Sequence, residues 1–137
     1  IKVKYPNGEN MITLNVTNAQ VTTLKDGSGN NPTTPADLVQ GRAKYRCTFQ
    51  GTGTAAILGS FNSTSLTDNG VGDYTLTIAT DFDSANYSAV GTVTNSGRGV
   101  VSIGGIAAGT IPVTTRQADN GTATDYGSVS VVAFGDQ

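Results

Sequence analysis

The side chains with the clearest chemical potential are the acidic and amide groups of residues 68–73, Asp-Asn-Gly-Val-Gly-Asp. Oxygen donors cluster there and glycines allow a tight path, as in a calcium-binding loop, but the EF-hand spacing and its twelfth-position Glu are missing. Asn-Gly is also a favoured pair for a hairpin turn, because both residues accept positive φ. We therefore predict a β-hairpin turn at Asn69-Gly70, with a metal site as the alternative.

A second acidic pair, Asp81 and Asp83 with Asn86 nearby, could serve metal binding or acid–base chemistry if it lay on a strand. The chain has no His, however, and no basic neighbour to tune either carboxylate. The single cysteine, Cys47, falls on an apolar face and is predicted to be an inert core thiol. We predict no catalytic residue, no metal ligand and no cofactor, and so no enzyme.

Composition excludes several further classes of protein. The 137 residues carry 8 basic and 10 acidic side chains, a net charge of −2, which argues against a nucleic-acid partner. No apolar run approaches the roughly 18 residues of a membrane helix. One cysteine cannot form an internal disulfide. The abundance of Thr and Val favours strands, because β-branched side chains suit a pleated surface.

Alternating apolar and polar residues recur from residue 42 onward, with turn signals at the spacing typical of β-sandwiches. We predict seven or eight strands forming an all-β, antiparallel, jelly-roll-like sandwich over residues 41–137. Residues 1–40 are predicted to form an N-terminal strand or anchor segment followed by a loop. At most one short helix is expected, over 34–41, where Thr34 can cap and Pro35 suits the first helical position.

Side-chain positions follow from this alternation. Ile57 and Phe61 are predicted to share the buried face of one strand, with Gly59 between them as a bulge. Most aromatic residues fall in strand patterns and are assigned to the core. Phe82 and Tyr126 have less regular surroundings and are the aromatic residues available for stacking on a sugar.

The last predicted strand, 128–134, is apolar on both sides. Val129 and Val131 share one face, whereas Val132 and Phe134 share the other. A strand of this kind is either central in its sheet or covered by a partner chain.

Several motifs recur in a familiar order and spacing across residues 41–136. They are 41–44 (GRAK), 49–54 (FQGTGT), 60–62 (SFN), 66–75 (LTDNGVGDYT), 83–87 (DSANY) and 129–135 (VSVVAFG). This succession resembles a domain common in virion proteins of tailed bacteriophages, usually tail-fibre or spike-like chains. Residues 12–34 resemble the short segment that often precedes this domain.

The resemblance implies a non-enzymatic, trimeric module on the virion, assembled in the bacterial cytoplasm. It implies a fibre or spike domain that contributes to attachment to the host surface, by contact with a glycan or a surface protein. The N-terminal segment is expected to bind other virion proteins of the capsid or tail. The alternatives are a capsid decoration or cement protein and a carbohydrate-binding module.

Receptor contacts are expected in three polar, glycine-rich loops at predicted turns, 68–73, 95–99 and 119–126, because binding residues often lie on such loops. Arg98 and Arg116 are the charged contacts expected for an acidic sugar. The alternative is that these loops are solvated turns. The predicted contact residues are Asp68, Asn69, Asp73, Arg98, Arg116, Asp119, Asn120 and Tyr126.

Overall fold

A computed structural model gives the fold of the C-terminal part of the chain. The chain divides into two compact units, Ile1–Pro35 and Ala36–Gln137. The structure describes residues 41–94 and 98–137, together with Thr23, Ser28, Thr34, Leu38 and Val39. The N-terminal strand and anchor predicted within 1–40 therefore lie outside the described residues. Most of the short helix predicted over 34–41 does too, although Leu38 and Val39 have helical backbone.

Eight strands form two four-stranded antiparallel sheets in the described part of the chain. The first sheet has the order β2-β1-β8-β5 and the second has the order β3-β4-β7-β6. This confirms the all-β antiparallel sandwich predicted from the sequence. The strands are β1 (Tyr45–Gln50), β2 (Ala56–Phe61), β3 (Ser63–Gly70), β4 (Asp73–Ile78), β5 (Ser88–Val93), β6 (Gly99–Ile103), β7 (Thr110–Gln117) and β8 (Val129–Phe134).

Alternate side chains of the central strands form the core between the sheets. β1 buries Tyr45, Cys47 and Phe49, and β4 contributes Tyr74 and Leu76 to the core from the other sheet. The rings of Phe49 and Tyr74 meet edge to face with centroids 5.0 Å apart, a favourable aromatic arrangement. Cys47 is fully buried, as predicted, and burial raises the pKa of its thiol. The two sheets are thus joined by aromatic and aliphatic contacts.

β8 occupies the centre of the first sheet, between β1 and β5. Val129, Val131 and Ala133 point inward and are buried. Val132 and Phe134 point outward, and Phe134 is 38% exposed. Of the two alternatives predicted for this strand, central in its sheet or covered by a partner chain, the structure shows the central position, while its second apolar side faces outward.

A β-bulge in β2 changes which of its side chains face the core. Leu58 is the extra residue, since Gly59 and Ile57 pair with consecutive residues of β1. Ile57 packs against the core, but Phe61 is 58% exposed. The prediction that Ile57 and Phe61 share a buried face is therefore wrong, because one extra residue turns the strand beyond it to the opposite face.

The two aromatic residues with irregular surroundings are buried instead. Phe82 is 3% exposed and stacks on Tyr87 with ring centroids 4.0 Å apart. Tyr126 is also 3% exposed, and its hydroxyl donates to the backbone carbonyl of Arg116 at 3.2 Å. Both residues lie in connections between strands. Such connections can fold back over the sandwich and bury aromatic rings that show no strand periodicity. The rings of Phe82 and Tyr126 are therefore not available for stacking on a sugar.

Close contact between β5 and β6 closes one side of the sandwich, and it requires glycine. A Cβ added at Gly91 in β5 would lie 2.6 Å from Cγ1 of Val101 in β6. Real Cβ atoms do not approach other atoms this closely, so any larger residue would push the two strands apart.

We predict that Gly91→Ala lowers the free energy of unfolding by about 1–3 kcal/mol, the usual cost of overpacking. Gly59→Ala is the matched control, since a Cβ there meets nothing within 4 Å. That change should leave stability within about 0.5 kcal/mol or raise it slightly, because alanine loses less backbone entropy on folding. Urea denaturation of both variants measures the difference, and equal midpoints would contradict the packing argument.

Candidate functional site

Four connections between strands meet at one end of the sandwich, here called the loop end. The pairing of Val129 with both Phe49 and Val93 places the β1–β2 and β5–β6 connections beside the start of β8. In the second sheet, Thr114 of β7 pairs with Asp73 at the start of β4 and with Ser102 of β6. The β3–β4 and β7–β8 connections therefore share that end. These connections are residues 51–55, 71–72, 94–98 and 118–128.

The opposite end of the sandwich, here called the base, is where the chain enters β1 and leaves β8. The Lys44 amide donates to the Ala133 carbonyl at 2.9 Å, so entering and leaving strands are side by side. Asp81, Asp83 and Asn86 lie in the β4–β5 connection at this end, all exposed. The structure therefore separates this acidic pair from the loop end.

The predicted contact residues come from three separate stretches of sequence, and the structure brings them to the loop end. They flank or form the connections there, although 95–97 of the predicted 95–99 loop lie outside the described residues. Their roles differ, as their individual contacts show. The residues at this end are Asp68, Asn69, Asp73, Arg98, Arg116, Asp119, Asn120 and Tyr126.

The hairpin of β3 and β4 is present as predicted, but its turn lies two residues further on. The tip is Val71-Gly72, and Gly70 and Gly72 adopt positive φ of 135° and 66°. Asn69 is instead the extra residue of a bulge, and its amide donates to the Thr75 hydroxyl at 3.0 Å. The Asn69-Gly70 pair thus forms a bulge and not the turn, because Gly72 supplies the positive φ at the tip of the hairpin.

The two acidic side chains of this hairpin hold its own backbone and amide groups. Oδ1 of Asp68 accepts a hydrogen bond from the Gly70 amide at 3.0 Å. Oδ1 of Asp73 lies 3.5 Å from the Asn69 amide nitrogen. No group of three or more His, Cys, Asp or Glu side chains suited to a metal ion occurs among the described residues.

Asp125 joins this hairpin to the β7–β8 connection, a role that the sequence did not reveal. Its Oδ1 accepts hydrogen bonds from the Gly72 amide at 2.7 Å and from the Tyr74 hydroxyl at 2.5 Å. Gly72 must also be glycine for packing, since an added Cβ would lie 2.8 Å from the Thr124 amide nitrogen. One carboxylate therefore fixes two loops that are about fifty residues apart in sequence.

Other side chains fasten the β7–β8 connection from within. The buried Thr115 hydroxyl donates to the Thr124 carbonyl at 2.6 Å. Arg116 Nη1 donates to the Gly121 carbonyl at 3.1 Å. Arg116 and the buried Tyr126 thus stabilise the loop. Asn120 does so too, since its Oδ1 accepts a hydrogen bond from the Thr122 amide at 2.9 Å. Asp119 and Arg98 are exposed.

A second surface stands out on the outward side of the β2-β1-β8-β5 sheet, here called the apolar face. Outward side chains of an antiparallel sheet are usually polar. The outward side of the other sheet is mainly polar and carries Thr67, Thr75, Thr77, Thr110 and Thr114 beside Val100 and Pro112; it is called the threonine face. The apolar face carries Leu58, Phe61, Val90, Val132 and Phe134 around Arg46.

The alternation along the sequence concealed this face. It predicts Phe61 on the same face as Ile57 despite the bulge expected at Gly59, whereas the extra residue Leu58 turns Phe61 to the outward side. The signal for Phe134 was present, since the last strand was recognised as apolar on both sides. Contiguous exposed apolar surface is uncommon on a monomer and usually marks a binding site.

Comparisons of the chain with protein-family models, with curated proteins and with solved structures each found no match. The described residues include no helix with the length and apolar character needed to cross a bilayer. The resemblance to phage virion domains therefore stays a prediction based on the motifs.

We predict that Asp125→Ala lowers the free energy of unfolding by about 2–3 kcal/mol, because it leaves the Gly72 amide and the buried Tyr74 hydroxyl without their charged acceptor. Asp119→Ala removes an exposed carboxylate from the same connection. This carboxylate makes no hydrogen bond with the described residues, so the change should alter stability by less than about 0.5 kcal/mol. Urea denaturation measures both. Similar losses in the two variants would show that Asp125 does not fasten the loops.

We also predict that stability falls in alkaline solution. Burial raises the pKa of the Tyr45 hydroxyl, and burial together with the hydrogen bond and charge of Asp125 raises that of Tyr74, both well above the ordinary value near 10. Because the folded state disfavours tyrosinate, this stabilisation is complete below about pH 10 and is lost as pH rises toward the folded-state pKa.

Urea denaturation at several pH values between about 8 and 11.5 tests this dependence. The free energy of unfolding should decline above about pH 10, and Tyr74→Phe should decline less steeply. A stability that is constant across this range would contradict the assignment.

Proposed function

We propose that this chain is a non-enzymatic structural module of a tailed-bacteriophage virion, a fibre or spike domain that contributes to attachment to the host surface. The succession of motifs across residues 41–136 supports this proposal. The observation that carries it furthest is geometric. The described residues of the three loops predicted as receptor contacts lie at the loop end, whereas the chain enters and leaves the sandwich at the base.

This layout suits a module that is held at one end and makes contact at the other. A rigid sandwich is a common support for binding loops, because the core fixes the loop ends while the loop residues stay free to vary. Asp125 limits the movement of the β3–β4 turn and the β7–β8 connection against each other. A receptor would therefore meet a preorganised surface, which lowers the entropy lost on binding.

A non-enzymatic role is supported by where the perturbed groups lie. The tyrosines with raised pKa values, and Cys47, are in the core, where burial is the main cause of the shift. Catalytic groups are instead expected in a cleft beside a specific charged partner. All fully buried side-chain nitrogen and oxygen atoms in the described part have hydrogen-bond partners.

Attachment by this module would depend on copy number. The resemblance implies a homotrimer anchored to other virion proteins through its N-terminal segment. Linking several weak sites raises the overall affinity because each later contact forms at a high effective concentration. Separate exposed polar and charged side chains at the loop end suit this mode of weak, repeated contact.

A capsid decoration or cement protein is the second candidate, and the apolar face favours it. Exposed apolar patches often mark protein–protein contacts. In that case the purified chain should bind phage capsids that lack it and should not bind host envelopes.

We predict that Arg98→Ala weakens binding of the chain to host cell envelopes several-fold, because it removes an exposed cation from the loop end. The guanidinium group of Arg98 has no hydrogen-bond or ion-pair partner among the described residues. Arg42→Ala is the control, since Arg42 is exposed near the base and its side chain also has no partner there. A pull-down with isolated envelopes measures both. Unchanged binding of the Arg98 variant, with loss for Arg42, would contradict the proposed orientation.

A further inference from the structure

We propose that the apolar face binds a negatively charged glycan, whose sugar rings lie on Phe61 and Phe134 and whose acidic group pairs with Arg46. This inference rests on the proposed attachment function and names the chemical class of its receptor. It adds a second contact surface to the loop end.

Among the described residues, aromatic exposure is confined to this face. Tyr45, Phe49, Tyr74, Phe82, Tyr87 and Tyr126 are all buried. Phe61 and Phe134 are thus the two exposed aromatic side chains among the described residues, and both lie on the same side of one sheet. An exposed ring offers a flat apolar surface that fits the C–H face of a sugar ring.

The register of the strands sets the distance between the two rings. Phe61, Arg46, Val132 and Val90 form one row across the four strands, and Phe134 is the next outward residue of β8. Phe61 and Phe134 are two strands and two residues apart, which places their Cα atoms about 12 Å from each other. That span suits a short oligosaccharide, and Arg46 lies between the Phe61 and Phe134 rings.

The charge of the face selects an anionic partner. The four strands of this sheet contain no Asp or Glu, and Arg46 is their single cation. Its guanidinium group is exposed and makes no hydrogen bond or ion pair with the described residues. A guanidinium group binds a carboxylate, sulfate or phosphate through paired hydrogen bonds. Uronic acids and phosphorylated or sulfated sugars carry such groups.

A shallow groove adjoins this arrangement. It has a volume of about 150 Å³ and runs between β5 and β8, where Val90 and Thr92 face Val132 and Ser130. Its hydroxyl groups can exchange hydrogen bonds with a sugar, while its valines exclude water. The Ser130 hydroxyl is already oriented by the Thr48 hydroxyl at 3.1 Å.

Size and charge argue against a second copy of the chain as the occupant. The face carries five apolar side chains, whereas a standard interface takes about 20–30 residues from each partner. A face-to-face pair related by a two-fold axis through the centre of the face would also bring two Arg46 side chains together. A peptide lying across the face could not add a strand to β1 or β8, since each is paired on both sides.

Binding of defined polysaccharides to the full chain tests the proposal. The probes are polygalacturonate, alginate and chondroitin sulfate, with neutral dextran for comparison, followed by polysaccharide from host envelopes. The variants are Phe61→Ala/Phe134→Ala and Arg46→Gln. Thr75→Ala/Thr114→Ala on the threonine face is the matched control. All five positions are outward-facing, and urea denaturation verifies that each variant folds.

We expect at least one acidic probe to bind, and the phenylalanine double variant to bind it at least tenfold more weakly. Arg46→Gln should reduce the affinity for that probe to the level of dextran and remove its sensitivity to salt. The threonine-face control should bind like the original chain. Equal affinity for dextran and acidic probes, or binding that survives both face variants, would overturn the proposal, as would failure to bind any acidic probe.

Two further readouts separate this proposal from others. A native mass that falls in the phenylalanine variant would assign the face to contacts between copies and overturn the glycan proposal. If the chain binds envelopes equally with and without Phe61 and Phe134, the glycan proposal fails and the attachment function stands. If it binds acidic glycans through the face but no host envelope, the attachment function fails.

Discussion

Burial of alternating side chains between two sheets is the constraint on which the rest of this structure depends. Tyr45, Cys47 and Phe49 from one sheet meet Tyr74 and Leu76 from the other, without a disulfide and without a metal ligand set among the described residues. Because side chains alternate along a strand, fixing the inward set also fixes the outward set. The surfaces available for binding are therefore a direct consequence of how the core is packed.

The loop end depends on the same core through one polar group. Asp125 accepts hydrogen bonds from the Gly72 amide and from Tyr74, whose ring is itself packed against Phe49. The orientation of the β3–β4 turn is thus linked to the sheet contact beneath it. This coupling explains why polar, glycine-rich connections can present a defined surface. The apolar face is independent of it, since it follows from the register of β2, β1, β8 and β5.

The sequence was sufficient to predict the sandwich and the hairpin, because alternation and turn residues are local signals. For β8 it left two alternatives, a central position or coverage by a partner chain. It failed at Phe61, where the extra residue Leu58 reversed the alternation. It also failed at Tyr126, since burial under a returning connection depends on contacts distant in sequence. The role of Asp125 had no local signal at all, because its partners Gly72 and Tyr74 lie about fifty residues away.

Neither surface offers a deep, enclosed pocket among the described residues. Each exposes few strong contact groups. The apolar face has two partly exposed rings and one arginine, and the loop end has isolated polar side chains. In the proposed attachment function, weak contacts of this kind gain affinity through repetition, so association of the chain is central to that function. Light scattering on a sizing column measures the native mass most directly. The account predicts about three times the chain mass of 13.9 kDa. A monomer at all concentrations would contradict it.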